Sequence, residues 1–238
     1  MKHFFLYFVS LLFTVTSLHA QGEPTPFWND IKKFKYKDSI TPAPKNAILF
    51  IGSSSFTMWK GLQDSFPSFI VINRGFGGST LTDQIRYEDK IIFPYMPKQI
   101  VIYCGENDIA SSDTITGEIV LNRFQQLFTD IRNSNPEVVI SFVSMKPSPS
   151  RWHMKDRLIA GNSLIKEFLR SQSNAHFIDI WDPMTGSDGK PRKELFINDM
   201  LHMNEKGYAI WKKQIEPYLK NDQYHLSERT GNLNLKSS

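Results

Sequence analysis

Ser53, Ser54 and Ser55 follow Gly52 at the end of the apolar run Ile48–Ile51, and far downstream Asp199 and His202 stand three positions apart. A serine hydroxyl is a poor nucleophile until a neighbouring base takes its proton, and that base needs a third group to fix its tautomer. A serine at a strand tip and an Asp–His pair on one loop supply all three. Acyl transfer also needs donors aimed at the oxyanion of the tetrahedral intermediate. A glycine N–H in "GFGGST" (75–80) and the side chain of Asn107 in "GEND" (105–108) are suitable, beside the nucleophile's own N–H.

Each block alone also has an ordinary reading. "GSSS" serves equally as a strand-to-helix turn with Ser54 or Ser55 as a cap. "GEND" reads as a polar turn, Asp199 as a helix cap, and a lone histidine as structural. "GFGGST" opens as G-x-G, but Thr80 holds the third glycine position and the loop follows a second strand, so a dinucleotide fingerprint is weak. No G-x-x-x-x-G-K-[ST] stretch exists, and the histidines lack paired metal-ligand spacing. Asp199 and His202 have no third or fourth ligand near them in sequence. Order along the chain and position at strand ends are what join the blocks into one site.

The elements that must hold them are legible as hydrophobic runs. "NAILFIG", "FIVINRG", "KQIVIYCG", "EVVISFVSM" and "AHFIDIW" are short, rich in Ile, Val and Phe, and mostly not alternating. Strands covered on both faces read this way. Val120, Phe124, Leu127, Phe128 and Ile131 fall on one face of a helix; Leu158, Ile165, Phe168 and Leu169 mark another; Tyr208, Trp211, Ile215, Tyr218 and Leu219 mark a closing one. Strands alternating with helices imply a parallel sheet between helical layers. Ligands of open parallel sheets bind at the carboxyl ends of the strands. The first three runs end in "GSSS", "NRGFGGST" and "GEND", so these tips meet at one sheet edge.

These residues resemble the SGNH hydrolases, also called GDSL esterases, whose motif set is a Ser, a Gly, an Asn and a His in four separated blocks. The blocks here are "IGSSS", "NRGFGGST", "GEND" and "DMLH", in that order. The resemblance aligns Ser54 with the nucleophile, with Ser53 in place of the usual Asp. It aligns Gly78 and Asn107 with the oxyanion donors, and Asp199 and His202 with the closing pair. It spans roughly Asn46 to Leu219. The wording of "FGGST" and "LHMNEKGYA" is similar to the branch holding the catalytic subunits of platelet-activating-factor acetylhydrolase and bacterial acetyl esterases. The fold implied is α/β, a three-layer, flavodoxin-like sandwich around a five-stranded parallel sheet. The activity implied is ester hydrolysis with no metal or organic cofactor. G-x-S-x-G is absent, which argues against an ordinary α/β-hydrolase.

Composition fits a packed globular protein. Apolar residues make up 40% and charged residues 22% of 238, as in a packed domain, and the net charge of +4 is mild. No basic run carries interleaved aromatics, so no nucleic-acid partner is expected. Lys2 and the uncharged apolar stretch Phe4–Leu18, ending at Ala20, read as a bacterial signal peptide over 1–20, with an uncleaved anchor as the alternative. This implies a periplasmic or secreted protein with no stable membrane span after cleavage. A linker and N-terminal helix fill 21–45, the hydrolase domain 46–222, and a loose tail 223–238. Cys104 is the only cysteine, so no intrachain disulfide forms, and its apolar run marks it as a small buried side chain. Arg151 and Trp152, in "KPSPSRWHM" after the fourth run, border the expected site and suit polar contacts and stacking with a sugar. The substrate expected is a short-acyl ester, acetyl above all, on a carbohydrate. A lysophospholipase or thioesterase using the same residues, or a glycan-binding module without activity, are the alternatives.

Overall fold

The computed structural model describes residues 25–221. The signal peptide expected over 1–20 and the tail expected from 223 lie outside the described residues. Five parallel strands form one sheet: β1 (Ile48–Gly52), β2 (Val71–Gly75), β3 (Gln99–Tyr103), β4 (Val139–Val143) and β5 (Ala175–Ile178), in the order β2-β1-β3-β4-β5. The helices are α1 (Trp28–Ile40), α2 (Ser54–Thr57), α3 (Leu62–Ser65), α4 (Leu81–Arg86), α5 (Glu88–Ile91), α6 (Glu106–Ser111), α7 (Gly117–Ser134), α8 (Lys155–Arg170) and α9 (Glu205–Ile215).

The period-two geometry of a strand sends neighbouring side chains to opposite faces. Leu49, Ile51, Ile100, Ile102, Ile140 and Phe142 pack with α1, α4, α7 and α8 on one side. Ile48, Phe50, Val101, Tyr103 and Val143 pack with Phe56, Leu62, Trp211 and Ile215 on the other. β1 and β3 are buried at every position, which is why their sequences do not alternate. Edge strands β2 and β5 are less covered: Val71 and Asn73 are half-buried in β2, and in β5 only Ile178 is fully buried.

The apolar stripe of α7 is buried as its spacing predicts. The closing helix is shorter than the pattern suggests. α9 ends at Ile215, and Pro217 sits in a 3-10 turn, Glu216–Tyr218, that leaves Tyr218 exposed. Proline cannot donate its missing N–H to a continuing helix.

The chain runs from β1 out to β2 on one side, then crosses back over β1 to β3. The adjacent β1 and β3 therefore send their following segments in opposite directions, and a crevice opens at their carboxyl ends. Gly52 closes β1 there with φ +140°, and a Cβ on it would stand 1.9 Å from the Tyr103 carbonyl oxygen. Only glycine lets the two strand tips approach this closely. The N–H of Ser53 donates to that same carbonyl at 3.1 Å.

Candidate active site

Ser54 is the first residue of α2, immediately beyond the Gly52 turn. Ser53 occupies the cap position but makes no side-chain capping bond, and Ser53 and Ser55 are buried. The three serines therefore do not act as a capping device. Ser54 alone directs its hydroxyl to another functional group, with Oγ 2.9 Å from His202 Nε2. The far ring nitrogen, Nδ1, lies 2.5 Å from Asp199 Oδ2. A carboxylate only accepts, so Nδ1 carries the proton and Nε2 presents its lone pair to the Ser54 hydroxyl.

The Asp–His loop is a tight turn built for this purpose. Asp199 Oδ1 accepts the backbone N–H groups of Leu201 and His202, both at 2.9 Å, and Met200 between them has φ +55°. Burial pushes the Asp199 carboxyl up, but the His202 ring and these two N–H groups outweigh it and hold it at about 2. Asp199 is thus ionised at every pH where the protein is expected to work. Asn204 caps α9 just beyond, accepting from the N–H groups of Lys206 and Gly207. From α9, the Tyr208 hydroxyl donates to the Ser55 carbonyl at 2.8 Å, tying the histidine's segment to the serine's.

Three candidate donors follow the tips of β1, β2 and β3: the N–H groups of Ser54 and Gly78 and the side-chain amide of Asn107. The N–H groups of Ser54 and Gly78 meet no protein acceptor among the described residues. Gly78 has φ +84°, a conformation that favours glycine, and Gly77 beside it approaches the Ser54 side chain. Asn107, on the first turn of α6, donates one Nδ2 hydrogen to the Ser79 carbonyl at 3.0 Å, leaving its second hydrogen free. The glycine loop is braced from behind. Ser79 Oγ donates to the Phe76 carbonyl at 2.8 Å and accepts from Gln84 Nε2 at 2.9 Å. Asp108 Oδ2 accepts the Leu81 N–H at 3.0 Å while Oδ1 accepts from Arg123 at 2.7 Å. The arrangement can deprotonate a serine as it attacks and stabilise an oxyanion with preorganised dipoles. Asn107→Ala should lower kcat on nitrophenyl acetate by about 10²–10³-fold with a small change in KM, as for loss of one oxyanion donor. Steady-state kinetics at neutral pH check this.

Beneath Asn107 lies a charge cluster that sequence reading missed. Glu106 is buried and accepts hydrogen bonds from the Tyr103 hydroxyl, from Lys146 Nζ at 2.7 Å and from Ser148 Oγ at 3.1 Å. Arg151 Nη1 stands 3.2 Å from its other oxygen. Lys146 is itself buried, three residues beyond the end of β4. A lysine closing the apolar run "VVISFVSMK" was the available signal, since a buried ammonium requires a carboxylate partner. Ser150 extends the brace: its N–H and Oγ both donate to the Met200 carbonyl, at 3.1 and 3.0 Å. One run of polar contacts thus leads from Asn107's neighbour to the loop carrying Asp199 and His202. Arg151 lies within that run. Trp152, next in sequence, stacks its ring on Trp181 at 5.9 Å with 26° between planes. Cys104 is buried as expected. Among the described residues no helix is long and apolar enough to cross a membrane.

Comparison with known proteins agrees with this architecture. No curated protein matches the chain. A Streptococcus pneumoniae structure described as a platelet activating factor is 23% identical, with TM-score 0.72, covering 81% of this chain and 92% of its own. A GDSL-like lipase from Bacteroides thetaiotaomicron is 20% identical, with TM-score 0.65, covering 79% and 95%. A mutant of an acetyl-xylooligosaccharide esterase from Geobacillus is 14% identical, with TM-score 0.59, covering 74% and 95%. These structures share the fold. The model of the GDSL-like lipase/acylhydrolase family matches residues 38–210, which span every element from β1 to β5 and all the polar strand tips, so the chain belongs to that family and is a carboxylic ester hydrolase.

Proposed function

We propose that the protein is an exported serine esterase that removes short acyl groups, acetyl above all, from carbohydrate. The observation that carries the reading is the unbroken hydrogen-bonded line from Asp199 through His202 to Ser54. His202 Nε2 takes the hydroxyl proton as Ser54 Oγ bonds to the ester carbon. The N–H groups of Ser54 and Gly78 and the Asn107 amide hold the resulting oxyanion. Collapse breaks the bond to the leaving oxygen, which takes the proton from His202. Water then attacks the acyl-serine, giving its proton to His202, and the acid departs as Ser54 recovers its hydrogen.

A small acyl group suits the glycine loop, where Gly77 lies beside the Ser54 side chain and neither Gly77 nor Gly78 carries a side chain of its own. The acetyl-xylooligosaccharide esterase among the structural relatives points the same way. Export rests on the leader pattern of Lys2 and Phe4–Leu18.

Nitrophenyl esters of increasing acyl length test the reading. Acetate should be the best substrate, with kcat/KM falling at least tenfold by the octanoate. A rise with chain length would move the assignment to lipids, and no turnover of any ester would leave only a binding role.

A further inference from the structure

We infer that Phe27 is a positioning residue for ester hydrolysis: residues 26–28 clasp the glycine loop, and the Phe27 ring keeps the Gly78 N–H where the oxyanion forms. This role rests on the reading of Gly78 as an oxyanion donor and adds the element that holds it in place. The clasp lies ahead of residues 38–210, the span matched to the family.

The glycine loop is anchored at both ends and bare in the middle. Phe76 is buried and donates its N–H to the Gly52 carbonyl at 2.9 Å. Ser79 is buried as well, with Oγ on the Phe76 carbonyl and its own carbonyl held by Asn107. Between them, Gly77 and Gly78 are exposed and take part in no hydrogen bond among the described residues. Glycine has the widest backbone freedom of any residue. Two in succession leave the Gly78 N–H free to turn, and an oxyanion donor works best when it is already aimed. Packing supplies what hydrogen bonds do not. A Cβ on Gly78 would stand 3.7 Å from Phe27 Cε1 and 3.9 Å from Cζ. Beyond its chain neighbours, no other described residue comes within 4 Å of that point. A Cβ on Gly77 would stand 3.8 Å from Ser54 Cβ. Successive glycines thus abut the nucleophile and the clasp.

The clasp is itself fixed. Tyr87, buried at the end of α4, donates its hydroxyl to the Pro26 carbonyl at 2.5 Å. Its ring stacks on Trp28 at 6.3 Å with 19° between planes. Phe27 meets Phe76 edge to face at 5.3 Å, and Phe76 meets Tyr87 in the same way at 6.1 Å. Phe27 opens α1 by accepting the N–H groups of Asp30 and Ile31, and it does so with φ +65°. That left-handed conformation is rare for a bulky side chain. It persists only where the surroundings over-determine it, and such residues gather at functional sites. Phe27 stays half-buried, so core burial alone does not account for the strained backbone.

Three variants separate positioning from packing. Phe27→Ala and Phe27→Gly both remove the ring, but only glycine suits φ +65°, so Phe27→Gly should melt higher than Phe27→Ala. Both should nevertheless lower kcat on nitrophenyl acetate about 10-fold, with KM within about twofold of wild type. The loss is smaller than the roughly 10²–10³-fold for a donor removed outright, because the N–H remains. Phe27→Leu keeps an apolar branch toward Gly78 and should recover part of the rate. Methylboronic acid gives a readout apart from turnover. Its adduct with Ser54 is tetrahedral and carries an oxygen where the oxyanion forms, so its Ki should rise by about the factor that kcat falls. A kcat within about twofold of wild type in all three variants would overturn the role. So would a kcat that follows Tm from one variant to the next, a raised KM at unchanged kcat, or unchanged boronate affinity. Wild-type rates in these variants beside the expected loss in Asn107→Ala remove the clasp and leave the oxyanion site intact. Wild-type protein that neither hydrolyses nitrophenyl acetate nor binds the boronate removes both.

Discussion

Ser54→Ala is expected to lower kcat on nitrophenyl acetate by about 10⁶-fold while the protein stays folded. The methyl group cannot attack the ester, and among the described residues no other hydroxyl makes a hydrogen bond with His202. Ser53 and Ser55 flank the position but are buried, and neither contacts the imidazole. His202→Ala should cost nearly as much, and the double variant should lose little beyond either single one. Groups that act as one unit lose their effect together, leaving whatever the oxyanion donors still supply, about 10³–10⁴ over water. The stability cost is small. Ser54 loses one half-buried hydrogen bond, about 1 kcal/mol, or roughly 2–4 °C in Tm for a domain of this size. Kinetics beside thermal melts check both halves. Activity surviving in Ser54→Ala, or losses that multiply in the double variant, would remove the serine from the centre of the mechanism.

Local signals made the main parts of this site legible. Gly52, Ser54 and Asn107 lie at the tips of runs whose burial on both faces suppresses alternation, so the strands and their ends are readable together. Asp199 and His202 share one turn, so their three-residue spacing already carries their contact. The pairing of Glu106 with Lys146 was not legible, because it depends on β3 lying beside β4 and sequence spacing does not encode strand order. The same holds for Trp152 on Trp181, which meet only because β4 and β5 are neighbours. Arg151, read from the sequence as a polar contact for a sugar, pairs with Glu106 in that cluster, a contact that sequence spacing does not encode. Edge strands were the other limit. Half exposure of β2 and β5 follows from their place in the sheet, and nothing within "FIVINRG" or "AHFIDIW" announces an edge.

Glu106→Gln should be the most destabilising single change at the site, although Gln keeps the shape of the side chain it replaces. Lys146 and Glu106 keep only 2% and 4% of their side-chain surfaces open, so neither charge can turn to water when its partner is lost. Burial alone pushes the Glu106 carboxyl up, but Lys146 and Arg151 overcome that and hold it below its usual value. Removing the negative charge leaves a buried ammonium without a counter-ion, a change that costs about 3–5 kcal/mol. For a domain of this length that is roughly 6–20 °C in Tm. Glu106→Gln/Lys146→Met removes both charges and should recover much of the loss, because the two effects are one interaction counted from either end. The pH dependence has a definite sign. A carboxyl whose folded pKa is lowered adds stability that is complete above its unfolded value, about 4.3, and fades as pH falls through the folded one. The difference in Tm between wild type and Glu106→Gln should therefore be widest near neutrality and shrink on acidification below about pH 4. Melts followed by circular dichroism from pH 3 to 8 measure it. A difference that stays constant with pH, or a double variant as unstable as the sum of the single ones, would mean that Glu106 acts through shape and not through charge. Because Glu106 precedes Asn107 and supports Arg151, its loss should also lower kcat under conditions where the variant remains folded, coupling the buried pair to the chemistry above it.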